Sequence, residues 1–348
     1  MKRILGIFRG FPGLGRVVAG VSLLETLRDD YGFDVRVISY LQGNKYLESH
    51  GYVNLPEVTP MDYCSIGLLP TNKMGVYIHD TIRDFMPDAI LIDGEPLILQ
   101  SIKISHPRIK IITLLNPADV NNPHNDKEAM DYFNAMYSLS DLAIVHGLRL
   151  VEKEQRYKNL ISINTIIRRE IIAMKNVPTN NIYCVLGGGT VNVAQQFEDS
   201  TIRIGELCMK AASLLPDYTM HIICSSQNIS NALKEYNYAN NVKFYSNIVS
   251  PQHYYNDAGL IITRSGRNTL SELAYLGIPA ISFVSGCIYR KAEQSNNLID
   301  LNATSIVPAR LDMSTEEFAG LCLKVIGKQA DSFLQCGNDE AIKHIMQI

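Results

Sequence analysis

The sequence predicts an α/β protein of two doubly wound domains, each a parallel sheet with helices on both faces. Apolar segments of strand length alternate with segments of helical periodicity along most of the 348 residues. These apolar segments are continuous, as expected of strands buried on both faces. A polar stretch at 168–178 interrupts the pattern, which then starts again. We therefore expect domains at 1–168 and 169–348 that face each other across a cleft, with the last helix free to pack back on the first domain.

Individual elements follow from local patterns. Val17, Val21 and Leu24 lie at the spacing of one helix face and predict a helix at 16–27. The same reasoning predicts a helix at 202–215. Continuous apolar runs predict strands at 3–8, 35–39, 89–92, 109–115, 142–145 and 160–163 in the first half. In the second half they predict strands at 182–186, 218–224, 242–245, 260–263 and 279–284.

Composition narrows the class of protein. A hydrophobic content of 46%, with 19% charged residues, is ordinary for a soluble globular chain. A net charge of −3 gives no reason to expect a nucleic-acid partner. The seven cysteines form no C-x-x-C pair, and Cys184 and Cys224 lie in predicted strands, which indicates a reducing cytoplasm. We see no signal peptide and no apolar run of about 18–20 residues that would span a bilayer, although peripheral contact with a membrane stays open.

The most informative stretch is 257–280. A predicted strand breaks at Arg264-Ser265-Gly266, and helical spacing follows up to Gly277 and Pro279. A helix that opens toward a small polar turn presents backbone N–H groups and its positive dipole end, which suit a phosphate. Arg264 and Arg267 add positive charge. The alternative is that Thr269 and Glu272 form a capping box and bind no ligand.

Glycines follow the first strand of each predicted domain. Gly10, Gly13 and Gly15 precede the first helix, and Gly187-Gly188-Gly189-Thr190 follows the strand at 182–186. Glycine lets a backbone approach a ligand closely. The first spacing is not the dinucleotide order G-x-G-x-x-G, and the second strand ends without a carboxylate for a ribose hydroxyl. A nicotinamide or flavin enzyme is therefore disfavoured.

With these motifs, the segment 182–308 resembles the nucleotide-sugar domain of GT-B glycosyltransferases of the MurG-like group (glycosyltransferase family 28). The resemblance implies that the glycine–helix turn holds the diphosphate, that Glu272 binds the ribose, that Asn247-Ile248 reads the base through backbone groups, and that Gln294 contacts the donor sugar. The substrate-binding residues predicted from the glycine turns, the two arginines and the matching positions are Gly13, Gly15, Arg16, Gly188, Gly189, Thr190, Asn247, Ile248, Arg264, Ser265, Gly266, Arg267, Asn268, Thr269, Glu272, Glu293, Gln294 and Asn297.

The N-terminal half matches this family less well. Where the family has a histidine after the glycine turn, this chain has Arg16. Arginine stays protonated and cannot act as a general base, although it could bind an anionic acceptor or the leaving diphosphate. Asp93-Gly94-Glu95 resembles the Asp-containing strand end of relatives in this group.

Sugar transfer to a hydroxyl needs a base for the acceptor proton and positive charge for the departing diphosphate. Asp93 and Glu95 follow a predicted strand at the carboxyl edge, where open α/β sheets bind ligands, and Asp119 and His124 follow the next strand. Of these four candidates we favour Asp93. The chain contains no D-x-D motif, so we expect the helix end to stabilise the diphosphate without a metal or any other cofactor.

The prediction is a cytoplasmic glycosyltransferase that takes a UDP-sugar, with UDP-N-acetylglucosamine or UDP-glucose as the expected donor. Its acceptor is an unidentified hydroxyl compound; a lipid-linked acceptor at the inner face of the membrane is one option. Two alternatives stay open: a nucleotide-sugar hydrolase or epimerase on the same fold, and a non-catalytic GT-B accessory subunit. The sequence does not indicate an oligomeric state.

Overall fold

The computed structural model describes residues 2–10, 13–53, 55–56, 72–122, 126–152, 154–186, 195–224, 227–236, 238–245, 250–285, 288–328 and 334–348. The chain divides into two compact units. Unit 1 consists of Met1–Arg169 and Cys336–Ile348, and unit 2 consists of Glu170–Gln335.

Unit 1 contains a six-stranded parallel sheet in the order β2-β1-β3-β4-β5-β6. Its strands are β1 (Arg3–Phe8), β2 (Asp34–Ile38), β3 (Ala89–Asp93), β4 (Lys110–Leu115), β5 (Leu142–Gly147) and β6 (Leu160–Asn164). Its helices are α1 (Gly15–Tyr31), α2 (Gln42–Ser49), α3 (Asn72–Phe85), α4 (Pro96–Ser105), α5 (Pro117–Val120), α6 (Lys127–Tyr137), part of α7 (Arg169–Ile172) and the last helix, α14 (Asn338–Ile345).

Alternate residues of these strands pack into two different cores, which is why the strands are apolar throughout. Ile4 and Leu91 lie in the core beneath α1 and α14, whereas Leu5 and Ile90 lie in the core beneath α3 and α4. Burial on both faces is the usual condition of a parallel sheet.

Unit 2 contains a second six-stranded parallel sheet in the order β12-β11-β10-β7-β8-β9. Its strands are β7 (Asn181–Val185), β8 (Thr219–Ile223), β9 (Val242–Tyr245), β10 (Ala258–Arg264), β11 (Ala280–Phe283) and β12 (Ile306–Ala309). Its helices are α8 (Gln195–Ala212), α9 (Gln227–Lys234), α10 (Gln252–Tyr255), α11 (Arg267–Leu276), α12 (Ile288–Leu301) and α13 (Thr315–Val325), and most of α7 belongs to this unit.

The predicted fold class is confirmed, and the predicted strands are present with ends that differ by a few residues. The strand β12 is the exception, because we predicted no strand there. It contains Pro308 and lies at the edge of the sheet, where a missing backbone N–H is tolerated. Cys184 and Cys224 are buried, as predicted. No helix in the described part of the chain is long and apolar enough to cross a membrane.

Candidate functional site

The turn between β10 and α11 lies at the carboxyl edge of the unit 2 sheet. Arg264 ends β10, and α11 begins at Arg267 with Gly266 as its N-cap. The amide groups of a helix's first turn have no partner within the helix and favour an anion. Gly277, with φ of 68°, ends α11 in the left-handed conformation, as the sequence predicted.

Gly266 is exposed, and neither its backbone nor its packing requires glycine. Its φ is −74°, which any residue adopts, and a Cβ at this position would meet no atom of the described residues within 4 Å. As far as the described part of the chain shows, the space above the turn is therefore open. A ligand that approaches the backbone closely would account for the absence of a side chain here.

The hydroxyl of Ser265 forms hydrogen bonds with residues of the neighbouring strand, β11. The side chain is fully buried, and its Oγ lies 2.7 Å from Ser282 Oγ and 3.2 Å from the Phe283 carbonyl oxygen. The Ser265 N–H donates to the same carbonyl at 3.0 Å. Ser265 therefore fixes the turn to β11, and any contact with a phosphate falls to the residues after it.

The two arginines of this turn differ in their surroundings. Arg264 Nη2 donates to the Leu186 carbonyl at 2.6 Å, and its Nη1 lies 3.4 Å from Thr201 Oγ1. Arg264 is thus held against the end of β7, directly before the glycine segment. Arg267 is half-buried in the first turn of α11, as are Asn268 and Thr269.

Glu272 lies in the middle of α11 and is 1% exposed. Because the N-cap is Gly266, Thr269 already lies inside the helix, and the capping box considered for Thr269 and Glu272 does not form. Tyr255, which is fully buried in α10, donates its hydroxyl to Glu272 Oε2 at 3.2 Å. Helical side chains lean toward the N-terminus of their helix, which directs Glu272 toward the Gly266 turn.

Two side chains of α12, Gln294 and Asn297, form hydrogen bonds with backbone groups of nearby turns. The Gln294 amide is buried and pairs with both backbone groups of Ser285: Oε1 accepts from the N–H, and Nε2 donates to the carbonyl, each at 2.9 Å. Asn297 Nδ2 donates to the Ser265 carbonyl at 3.0 Å. The predicted donor-sugar contact of Gln294 would have to compete with the Ser285 pairing. Glu293, beside it, is half-buried.

At the carboxyl edge of the unit 1 sheet, Arg16 forms ion pairs with two carboxylates. Its Nη1 lies 2.5 Å from Asp93 Oδ1, and its Nη2 lies 2.9 Å from Asp119 Oδ1. Asp119 Oδ2 also accepts from the Asn116 N–H at 2.9 Å. Burial lowers the pKa of Arg16, but the charges of Asp119 and Asp93 outweigh it and raise the pKa well above its ordinary value. Arg16 is therefore a permanent cation that binds α1 to the ends of β3 and β4.

Asp93 is fully buried in this ion pair. A general base has to reach the proton that it removes. The geometry therefore gives Asp93, our preferred base, the surroundings of a structural anchor.

Glu95 has different surroundings from Asp93. It is 4% exposed and lines a small cavity with Tyr40, Met74 and Ile98. Tyr40 donates its hydroxyl to Glu95 Oε1, and Arg9 Nε lies 3.5 Å from the same oxygen. Burial raises the pKa of Glu95, although the charge of Arg9 and the Tyr40 hydrogen bond lower it. A buried carboxyl group whose pKa is raised is a candidate general acid or base.

Gly94 allows this charged cluster (Arg9, Arg16, Asp93, Glu95 and Asp119) to assemble. Its φ is 83°, and a Cβ there would lie 2.5 Å from Arg16 Cδ and 2.8 Å from Arg9 Cβ. Glycine is required at this position for both conformation and space.

Some predicted residues lie outside the described residues: His124, Gly188, Gly189, Thr190, Asn247 and Ile248. Gly13 is exposed, with open space around it, and Gly15 begins α1. The sequence patterns did not indicate that Tyr40, Arg9 and Tyr255 lie at these sites. Tyr40 carried a weak signal, its position directly after a predicted strand, whereas nothing near Tyr255 in the sequence connects it to Glu272. Among the described residues, no three or more His, Cys, Asp or Glu side chains are grouped to hold a metal ion.

Comparisons with known proteins identify this architecture. Residues 193–317 match the glycosyltransferase family 28 C-terminal domain. A search of curated proteins finds no significant match. Acinetobacter baumannii MurG is similar in structure over 100% of both chains, with 16% identity and a TM-score of 0.58. Arabidopsis thaliana UGT89C1 complexed with UDP is similar over 100% of this chain and 94% of its own, with 11% identity and a TM-score of 0.66.

A third similar structure is the Methanocaldococcus jannaschii UDP-GlcNAc 2-epimerase in complex with UDP-GlcNAc and UDP. It covers 99% of both chains, with 13% identity and a TM-score of 0.62. At these identities the similarities establish the fold alone, and the domain match is confined to residues 193–317. The chain therefore has the GT-B fold, and its residues 193–317 match the glycosyltransferase family 28 C-terminal domain.

Proposed function

We propose that this protein is a glycosyltransferase that transfers a sugar from a UDP-sugar to a hydroxyl acceptor. The observation that carries the proposal is the turn before α11, where an exposed glycine with open space around it begins a buried helix. A diphosphate seated there would accept hydrogen bonds from the first amides of the helix and be stabilised by its dipole. The match to the family 28 C-terminal domain covers this turn.

UDP is the proposed nucleotide because two structures that share this fold, UGT89C1 and the epimerase, are complexes with UDP. In this proposal Glu272 accepts hydrogen bonds from the ribose hydroxyls, and the segment with Asn247 and Ile248 reads the base. We propose UDP-N-acetylglucosamine or UDP-glucose as the donor, with Glu293 and Gln294 beside the sugar.

The diphosphate needs no metal ion in this mechanism, because the helix end and Arg267 supply the positive charge. We propose Glu95 as the general base, in place of Asp93, since burial raises the pKa of Glu95 and its side chain lines a cavity. Arg16 positions Asp93 and Asp119 and takes no proton. The reaction is proposed to take place in the cytoplasm, with peripheral contact to the membrane if the acceptor is lipid-linked.

A second candidate reaction uses water in place of the acceptor or epimerises the sugar. The observation that favours it is the likeness over the whole chain to a UDP-GlcNAc 2-epimerase, which shows that a similar fold hosts that chemistry. A non-catalytic accessory role is the third option, since Arg16 stands where the transferases have a histidine.

The test begins with a screen of nucleotide sugars for thermal stabilisation of the protein, followed by product analysis with the best ligand. UDP-sugars are expected to raise the melting temperature more than ADP- or GDP-sugars do. Transfer to a hydroxyl acceptor, with UDP released, supports the transferase. Free sugar without an acceptor indicates the hydrolase, and a new epimer indicates the epimerase. Stabilisation without turnover on any acceptor or water indicates the accessory role, and no response to any nucleotide sugar contradicts the proposal.

A further inference from the structure

Tyr255 is the described residue whose hydroxyl donates to Glu272, and neither the sequence nor the proposed mechanism gives it a role. The hydroxyl lies 3.2 Å from Glu272 Oε2, and both side chains are buried. A carboxylate has about four acceptor positions on its two oxygens. The hydrogen bond from Tyr255 uses one of these positions, and a ribose hydroxyl would need another.

The tyrosine is itself held rigidly. Its ring packs edge-on against Tyr254 with the ring centroids 4.8 Å apart. Asn176 Nδ2 donates to the Tyr255 carbonyl at 2.7 Å and to the Ala258 carbonyl at 3.0 Å, which ties the end of α10 to the start of β10. The Tyr255 N–H donates to the Pro251 carbonyl at 2.8 Å. Both its backbone and its ring are thus fixed before any ligand arrives.

Glutamate has three side-chain torsions, and ordering them costs conformational entropy. A buried donor that fixes one carboxylate oxygen removes part of this cost before the ligand binds. We propose that Tyr255 is a positioning residue of the donor site, which orients Glu272 so that its carboxylate meets the ribose hydroxyls of the nucleotide. This inference rests on the proposed function, since it needs Glu272 to bind ribose.

The inference predicts a ligand-dependent effect of removing one hydroxyl group. Tyr255→Phe keeps the ring and the packing, so the fold is retained. In calorimetric titration it should weaken UDP binding about three- to tenfold, as expected for one hydrogen bond. It should leave the affinity for 2′,3′-dideoxyuridine diphosphate equal to that of the wild type, because that ligand has no ribose hydroxyls for Glu272 to bind.

The matched control is Tyr254→Phe, which removes a hydroxyl from the same short helix. It should bind both ligands as the wild type does. Glu272→Ala should weaken UDP binding by more than Tyr255→Phe, and adding Tyr255→Phe to Glu272→Ala should have no further effect, since the two residues act as one unit.

Four results would overturn the inference. If Tyr255→Phe weakens both ligands equally, Tyr255 is only a packing residue. If Glu272→Ala weakens UDP binding while Tyr255→Phe does not, the donor site stands and Tyr255 has no positioning role. If UDP binds and Glu272→Ala has no effect, the ribose assignment fails together with the inference. If the wild type does not bind UDP at all, the proposed function fails as well.

Discussion

The turn before α11 and the charged cluster at the end of β3 occupy equivalent places, each at the carboxyl edge of a parallel sheet. They differ in how their polar groups are used. In the charged cluster, the arginines are paired with two buried carboxylates, Asp93 and Glu95, and with the partly exposed Asp119. In the turn, a backbone segment with an exposed glycine faces open space. The first arrangement is suited to holding side chains in place, and the second to receiving an anionic ligand from outside.

From this difference we infer that the two units have different roles in the proposed reaction. The charged cluster has two arginines and three carboxyl groups and so offers no net positive charge to an incoming phosphate, whereas burial raises the pKa of Glu95. A helix end offers partial charges that no carboxylate of the turn cancels, since α11 has no acidic residue in its first turn. Within the proposed function, we therefore propose acid–base chemistry for unit 1 and donor binding for unit 2.

The largest expected effect is the loss of turnover in Glu95→Gln, which distinguishes the role of Glu95 from that of Asp93. Glu95→Gln keeps the size of the side chain and can still accept the Tyr40 hydrogen bond, but it cannot take a proton. We expect turnover to fall by about 10²–10⁴ while UDP binding is unchanged. In the wild type, activity should be lost as the pH falls through the raised pKa of Glu95, because the base must be deprotonated. Steady-state rates over a pH series measure both effects, and near wild-type turnover by Glu95→Gln would remove Glu95 from the mechanism.

We expect substitution of Asp93 to act mainly on the stability of the protein. Asp93→Asn leaves Arg16 with only Asp119, and we expect the free energy of unfolding to fall by about 2–3 kcal/mol. This is below the range of about 3–5 kcal/mol for a fully buried pair, because Arg16 is partly exposed and keeps one partner. Urea denaturation measures the change. Asp84→Asn, which breaks the exposed pair with Arg36, is the control and should cost less than about 1 kcal/mol. An Asp93→Asn variant of unchanged stability that has lost turnover would restore Asp93 as the base.

These assignments show which parts of the site a sequence can reveal. The Gly266 turn lies within one strand–turn–helix unit, so local pattern and backbone chemistry were sufficient to propose it. The role of Glu272 was implied by the resemblance to family 28, because its local pattern alone indicated a capping box. Arg16, Asp93 and Asp119 belong to α1, β3 and α5, and their ion pairs arise only when these three elements come together in the fold. The sequence showed which of these residues carry charge, but it could not show that they form ion pairs with each other.

The same limit explains the interpretations that changed. Thr269 and Glu272 have the spacing of a capping box, yet the helix begins earlier, at Arg267, which places Thr269 inside it. Gln294 has the position of a sugar-binding residue, and only the folded loop shows that its amide pairs with the backbone of Ser285. The fold class needed no such long-range information, because continuous apolar strands separated by helices are sufficient to predict two parallel sheets.

A smaller expected effect is the pH dependence of stability, which has opposite directions for Glu95 in unit 1 and His221 in unit 2. Glu95 of unit 1 has a raised pKa, so its contribution to stability is lost as the pH rises. In unit 2, burial and the charge of Lys243 lower the pKa of His221 to about 4, although Asp257 acts in the opposite sense. The unfolded chain then binds the proton first, and stability is lost as the pH falls from about 6.5 toward 4.

His221→Gln should therefore show a smaller drop in melting temperature between pH 7 and pH 4.5 than the wild type shows. The ring nitrogens of His221 lie 3.0 Å from Tyr245 Oη and from Asn181 Oδ1. Because the Asn181 oxygen accepts from Nε2, a second proton on the ring would turn Nδ1 from an acceptor into a donor and reverse its hydrogen bond with Tyr245. Thermal unfolding of both proteins at the two pH values makes the comparison. An equal drop in the two proteins would mean that other groups set the acid sensitivity.

The claim that the Gly266 turn holds the diphosphate is tested most directly by calorimetric titration of UDP into the wild type and Gly266→Ala, with EDTA present throughout. The structure offers room for a Cβ at Gly266 and a backbone conformation that alanine adopts, so the variant should melt close to the wild type. We predict that UDP binds the wild type without metal and binds Gly266→Ala roughly ten- to a hundredfold more weakly. The added methyl group would hold the phosphate away from a helix N–H, and the loss of one hydrogen bond to a charged phosphate is worth about 1.5–3 kcal/mol. Equal UDP affinity in the two proteins, or wild-type binding that EDTA abolishes and magnesium restores, would contradict the account.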